Sequence, residues 1–312
     1  MARLSNIIHL LRCGIRSPRE TASLLNSSVS VMRGAQASPR ETANLLHLLG
    51  PMMREAQISP RETASLLDFL VSGMQFSRRT VFARPSQDRD GLTEAANPIL
   101  SYFNAHTEGR GIWKWIHYFG IYHRHFRKFV GREVHMLEVG IYSGGSFPMW
   151  MQYFGKGCRL YGVDIHEATR ACEDMGIKVF IGDQADRSFW TRIKQAVPTI
   201  DILIDDGGHL PEQQRVTLEE MLPHIAPGGV YLCEDIHGAF NPFAAYVQGL
   251  ASSLNSGFPG EMPGTSDQAC TPSNFQAAIS SIHLYPFVAV IEKRERNLDR
   301  LLSAKRGTQW LW

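Results

Sequence analysis

The sequence predicts an α/β fold in which an open sheet of strands alternating with helices follows an N-terminal α-helical repeat region. Two observations carry this. From about residue 97 onward, short β-rich apolar runs alternate with stretches of helical period. Before that point, Ser-Pro-Arg-Glu-Thr-Ala occurs three times, beginning at Ser17, Ser38 and Ser59, an interval of 21 residues each time.

The repeats have a local physical basis. Each Ser can cap a helix, Pro fits the first turn, and Glu20, Glu41 and Glu62 complete a capping box. Ala43, Leu46, Leu49 and Met53 follow a helical period, and Gly50-Pro51 ends the second helix. One unit cannot bury its apolar face alone. Residues 1–80 are therefore expected to form a small helical bundle, with homo-oligomerisation through these helices as one use for it. The region holds ten Arg, no Lys and five acids, a net of +5, which leaves −3 for the rest of a chain of net +2. Its Arg-rich start is also compatible with a transit peptide to an organelle matrix, but the repeats continue straight from it. Residues 81–97 lack periodicity and read as a linker, leaving 98–312 as the second domain.

Length and composition narrow the function. A chain of 312 residues buries an ample core without staples. Its five cysteines are scattered, with no CxxC pair, so a reducing, cytoplasmic setting is expected. Near-zero net charge argues against a general nucleic-acid binder. The uncharged stretches 236–260 and 268–291 are broken by Pro, Gly, Asn and Gln, so no membrane span is expected.

The strands follow in order. Val134–Gly140 leads into Ile-Tyr-Ser-Gly-Gly-Ser and a helix from Phe147 to about Phe154. A glycine turn between strand and helix lets backbone approach a ligand. The turn is not GxGxxG, because Tyr142 stands where a dinucleotide site wants its second Gly. Later runs end at Asp164, at Asp183-Gln184, at Asp205-Asp206-Gly-Gly-His209 and at Glu234-Asp235. Ligands of open α/β sheets bind outside the carboxyl ends of strands, where these polar residues accumulate. Upstream, the aromatic and His-rich stretch 112–126 is expected as an amphipathic helix over that end, with His and Arg on its exposed face. Residues 252–274 read as a connection or a lid, and 281–292 as a closing β-hairpin.

Glu138-Val-Gly140, Asp164, Asp183, the Asp205-Asp206 pair and Pro-Gly-Gly before strand five resemble class I S-adenosylmethionine-dependent methyltransferases. More narrowly, Ile-Asp205-Asp206-Gly-Gly-His209 and Glu234-Asp235 resemble the metal-dependent sugar O-methyltransferases of macrolide biosynthesis and the related cephalosporin-hydroxylase-like group. The resemblance implies a Rossmann-like class I methyltransferase sheet and an enzyme that moves a methyl group from S-adenosylmethionine to a hydroxyl of a small, sugar-containing molecule. It implies Mg²⁺ on Asp206, Glu234 and Asp235, with His209 as general base. It places the cofactor among Glu138, Gly140, Tyr142, Ser143, Gly144, Asp164, Asp183, Gln184 and Asp205. Lys114, His117 and Tyr122 resemble a segment near the cofactor in that family. A non-catalytic α/β scaffold and a nicotinamide oxidoreductase are the alternatives.

Overall fold

The computed structural model describes residues 76–77, 97–238, 241–257, 260–261 and 268–309. The three repeats, the Arg-rich start, nearly all of the 81–97 linker, Trp310 and Trp312 lie outside the described residues. The chain divides into two units, Met1–Leu92 and Thr93–Trp312, and the sheet belongs to the second.

Helix α1 (Pro98–Ala105) starts where Asn97 accepts the amides of Ile99 and Leu100, with Pro98 in the first turn. The same Asn97 donates to Phe119 O at 2.8 Å, which ties α1 to α2 (Tyr118–Phe126). Strands β1 (Val134–Val139), β2 (Cys158–Asp164), β3 (Lys178–Ile181), β4 (Ile200–Asp205) and β5 (Ile225–Cys233) run parallel. Their connections carry α3 (Ser146–Phe154), α4 (Arg187–Ala196) and α5 (Pro211–Met221), as parallel strands require. After α6 (Pro242–Ser253), β8 (Ile279–Tyr285) and β9 (Val288–Lys293) form the expected hairpin, and β9 pairs antiparallel with β5. The order across the sheet is β3-β2-β1-β4-β5-β9-β8. Within 252–274, short strands β6 (Gly260–Glu261) and β7 (Gln268–Cys270) join β10 (Leu301–Ser303) in a second sheet, and α7 (Asn274–Ala278) precedes β8.

Both faces of the large sheet are covered, so its strands read as nearly continuous apolar runs. Met136, Ile202, Ile204, Leu232 and Val290 pack under Phe119, Phe126 and Trp150. Their alternates Leu137, Val139, Leu203, Tyr231 and Ile291 pack against Phe189, Trp190, Met221 and Phe243. The order reverses between β1 and β4, since β2 and β3 lie to one side of β1 and β4 and β5 to the other. That switch point opens a crevice outside the carboxyl ends of β1 and β4.

One expected element is shorter than its pattern suggests. Helix α2 begins only at Tyr118, and Ile112–His117 is not helical. Lys114 and its neighbour Trp115 both reach carboxylates at the sheet's end, which adjacent helical residues, about 100° apart, do not manage. The exposed-His face is also corrected: His125 is buried against the β8–β9 hairpin, while Arg124 stays exposed.

Candidate active site

At the end of β1 the chain turns through Gly140, whose φ is +87°. A Cβ there would stand 2.0 Å from the Asp206 carbonyl oxygen, so the β1 and β4 ends close on each other only around glycine. Tyr142 follows with φ +51°, in the left-handed region, and it is exposed. His209 (φ 58°), Asp235 (φ 55°) and Phe287 (φ 64°) are the other non-glycine residues at positive φ among the described residues. His209 and Asp235 lie just beyond the ends of β4 and β5, and Phe287 packs on the rings of Trp115 and His237. Backbone strain of order 1–3 kcal/mol per residue is thus gathered at one place.

Three predicted residues meet there. His209 Nε2 lies 3.7 Å from Asp235 Oδ2 and 4.0 Å from Asp206 Oδ1. Asp235 is steered by its other oxygen, which accepts from the Tyr118 hydroxyl at 2.7 Å and the Trp115 indole at 3.1 Å. His237 adds a ring nitrogen at 3.6 Å. Neither Trp115, Tyr118 nor His237 stood out in the sequence, because aromatic residues before a helix read as core. The Glu-Asp-Ile-His spacing was the one available signal for His237.

Glu234, adjacent in sequence to Asp235, faces the other way. It is buried, accepting from the Tyr122 hydroxyl at 2.6 Å and from Lys114 Nζ at 3.0 Å. Lys114 Nζ also lies 2.6 Å from Asp206 Oδ2 and 3.5 Å from Glu138 Oε1. Burial alone would lower the Lys114 ammonium. Asp206, Glu234 and Glu138 outweigh it and hold the amine well above its ordinary range. Burial pushes the Glu234 and Glu138 carboxyls up, with Lys114 as the main opposing influence. Glu138 also accepts from Ser146 Oγ at 2.7 Å and Trp150 Nε1 at 3.2 Å.

The remaining predicted residues divide. Gly140, Tyr142, Ser143 and Gly144 form the β1–α3 turn, and Asp164 braces it, accepting the Ile141 and Tyr142 amides at 2.9 and 3.1 Å. Asp183 is exposed at the end of β3 and accepts the Ala185 amide at 2.8 Å. Gln184 and Asp205 turn inward. Gln184 Nε2 donates to Asp205 Oδ1 at 3.0 Å and Thr217 Oγ1 at 3.1 Å, while its oxygen accepts the Gly208 amide at 2.7 Å. Tyr231 donates to the other Asp205 oxygen at 3.1 Å. This buried lattice positions the β4 loop from beneath. Burial raises the Asp205 carboxyl to about 7 despite these donors. His117 bonds Pro286 O at 3.0 Å, beside the aromatic cluster.

The donor set suits a hard divalent cation. Asp206 Oδ1 and Asp235 Oδ2 both face the His209 side, and such a cation takes a few carboxylate oxygens while keeping positions for water or substrate. The glycines of the β1–α3 turn pack against protein, Gly140 against Asp206 O and Gly144 against Cys172 Sγ, and so fix the shape of the loop that leads into the α3 N-terminus.

Comparison with known proteins points to methyltransferases. Residues 137–236 match a family model described as a methyltransferase domain. Demethylmacrocin O-methyltransferase of Streptomyces fradiae is 31% identical over 228 residues, covering 62% of this chain and 56% of that protein. Mycinamicin VI 2''-O-methyltransferase of Micromonospora griseorubida is 33% identical over 190 residues, covering 55% of this chain and 47% of that protein. The chain thus spans about half the length of the curated relatives it matches. Among solved structures, the MycE methyltransferase of the mycinamycin biosynthetic pathway, in complex with Mg and SAH, is similar. It shows 28% identity and a TM-score of 0.51, over 64% of this chain and 54% of that one. Residues 137–236 are therefore similar to a methyltransferase domain, and the Rossmann-like sheet that contains them resembles, in sequence and fold, the macrolide O-methyltransferases just named.

Proposed function

We propose that the chain is an S-adenosylmethionine- and Mg²⁺-dependent O-methyltransferase whose acceptor is a hydroxyl of a small, sugar-containing molecule. The observation that carries this is the convergence of His209, Asp206 and Asp235 beside the glycine turn of β1. The relatives bear the names of a demethylmacrocin O-methyltransferase and a mycinamicin VI 2''-O-methyltransferase, which supports the O-methyl-transfer reading.

A sugar hydroxyl holds its proton too tightly to attack unaided. Imidazole is the side chain suited to accept a proton near neutrality, and His209 takes this one at Nε2. Asp235 at 3.7 Å and Asp206 at 4.0 Å stabilise the imidazolium that results. Tyr118 and Trp115 keep Asp235 aimed at His209. Lys114 offsets the charge of Asp206, Glu234 and Glu138, so the carboxylates stay together in a partly buried site. Asp206 and Asp235 would hold Mg²⁺, with Glu234 behind them. When bound, the ion supplies the Lewis acidity that lowers the acceptor hydroxyl's pKa. The turn from Gly140 to Gly144, with Asp164 and Asp183 at the neighbouring strand ends, would hold S-adenosylmethionine, which supplies a methyl group already activated by sulfonium. Methyl transfer then needs alignment more than covalent help.

Isothermal calorimetry with S-adenosylmethionine, followed by turnover of a panel of glycosylated acceptors with and without EDTA, tests the reading. Stoichiometric binding and EDTA-sensitive turnover are expected. His209→Ala should lose about 10²–10⁴ in rate while still binding cofactor. Absence of cofactor binding would favour a scaffold, and normal EDTA-resistant turnover by His209→Ala would sink the metal–base mechanism.

A further inference from the structure

A second group of ligand-type side chains lies away from the carboxylates just described. His125 comes from the last turn of α2, His283 from β8 and Glu292 from β9. One ligand atom from each of the three lies within 4.8 Å of the others. His125 is buried, while His283 and Glu292 are half-buried. His125 Nδ1 is 2.8 Å from Glu292 Oε1, and its Nε2 is 2.9 Å from the Tyr285 hydroxyl. The imidazoles of His125 and His283 stand with centroids 4.7 Å apart, and Ser281 Oγ is 3.0 Å from His283 Nε2.

We propose that His125, His283 and Glu292 form a transition-metal site of the zinc class that clips α2 to the β8–β9 hairpin. The chemistry differs from that of Asp206 and Asp235: two imidazoles and one carboxylate suit Zn²⁺, Co²⁺ or Ni²⁺, whereas Mg²⁺ prefers all-oxygen sets. Bonds of about 2.0–2.2 Å to a tetrahedral ion set ligand atoms roughly 3.4 Å apart. The three ligand atoms, all within 4.8 Å of one another, lie near that spacing. The Tyr285 and Ser281 hydroxyls are the kind of outer partner that fixes the orientation of ligating histidines. Two cations face the cluster. Lys128 Nζ lies 3.8 Å from Glu292 Oε1 with its side chain 38% exposed, free to swing toward solvent. Arg124 acts on His283 from α2 and is exposed. Both weaken the pull on a dication.

The test is a Co²⁺ titration of the full chain in excess Mg²⁺, which engages the carboxylate cluster. One equivalent of Co²⁺ should bind with the visible absorption of a tetrahedral nitrogen–oxygen site, and Zn²⁺ should displace it. His283→Gln should weaken binding by at least about tenfold without altering the thermal shift given by Mg²⁺. Glu292→Gln serves as an independent variant and should lose affinity likewise. No stoichiometric Co²⁺ binding, or binding unchanged in both variants, would overturn the proposal and leave a hydrogen-bond network only.

Discussion

Replacing Asp205 by Asn should flatten the pH dependence of stability. Burial lifts this carboxyl from 3.8 to about 7 in the fold, and about 3.9 holds in the unfolded chain. Between those values the folded protein keeps a proton that the unfolded chain has released, so stability falls as pH rises through that window and levels off above it. A separation of about three pKa units corresponds to at most ~4 kcal/mol. Between about pH 5 and about pH 8 the share lost is about 2.5 kcal/mol. Asn cannot ionise and retains an oxygen for the Gln184 or Tyr231 donor. Urea denaturation in EDTA at three pH values, for both proteins, isolates the effect, because Glu234, Lys114 and every other group are common to both. The variant should lose less stability than the parent by about that amount. Parallel pH profiles would refute the reasoning and would mean that water or a moved Gln184 solvates the ionised carboxylate.

Lys114→Met leaves Asp206, Glu234 and Glu138 facing one another without their ammonium, and should cost about 3–5 kcal/mol at neutral pH. In thermal melts Mg²⁺ should raise the variant's Tm more than the parent's, since Asp206 Oδ2 and Glu234 Oε2 then lose their cation. Gly140→Ala sets a methyl 2.0 Å from a backbone oxygen at φ +87° and should destabilise by roughly 2–4 kcal/mol in urea titration, with S-adenosylmethionine binding lost in calorimetry. Tyr118→Phe removes a donor 2.7 Å from Asp235 and should lower kcat about tenfold or more, with circular dichroism unchanged.

Much of the sheet was legible because short, nearly continuous apolar runs, ended by Gly or an acid, have few other physical solutions. Residues 134–140, 160–164 and 200–206 announce strands, and Gly140 before an acid-bearing turn announces a ligand end. The stretch 112–126 was less legible. Its helical period is real over Tyr118–Phe126, but Lys114 and Trp115 leave that pattern to reach carboxylates 92 and 120 positions away. No local propensity encodes a partner at that separation. The same limit applies at neighbouring positions. Asp205 and Asp206 are adjacent, as are Glu234 and Asp235, yet one of each pair faces the interior and the other the crevice.

The sequence by itself determined which residue types gather at the ends of five strands, and hence that the chain folds as an alternating α/β sheet with a polar, acid-rich rim. Only the tertiary structure decided how those acids divide. At the end of β4 the alternation of the chain turns Asp205 to Gln184 and Tyr231 and Asp206 to the crevice. Past the end of β5 the left-handed backbone at Asp235 parts it from Glu234, so Asp206 and Asp235 meet His209 and Glu234 locks to Tyr122. It also decided where Lys114 goes: burying several like charges together is tolerable only where an opposite charge is brought to them, and here a lysine from a distant segment supplies it.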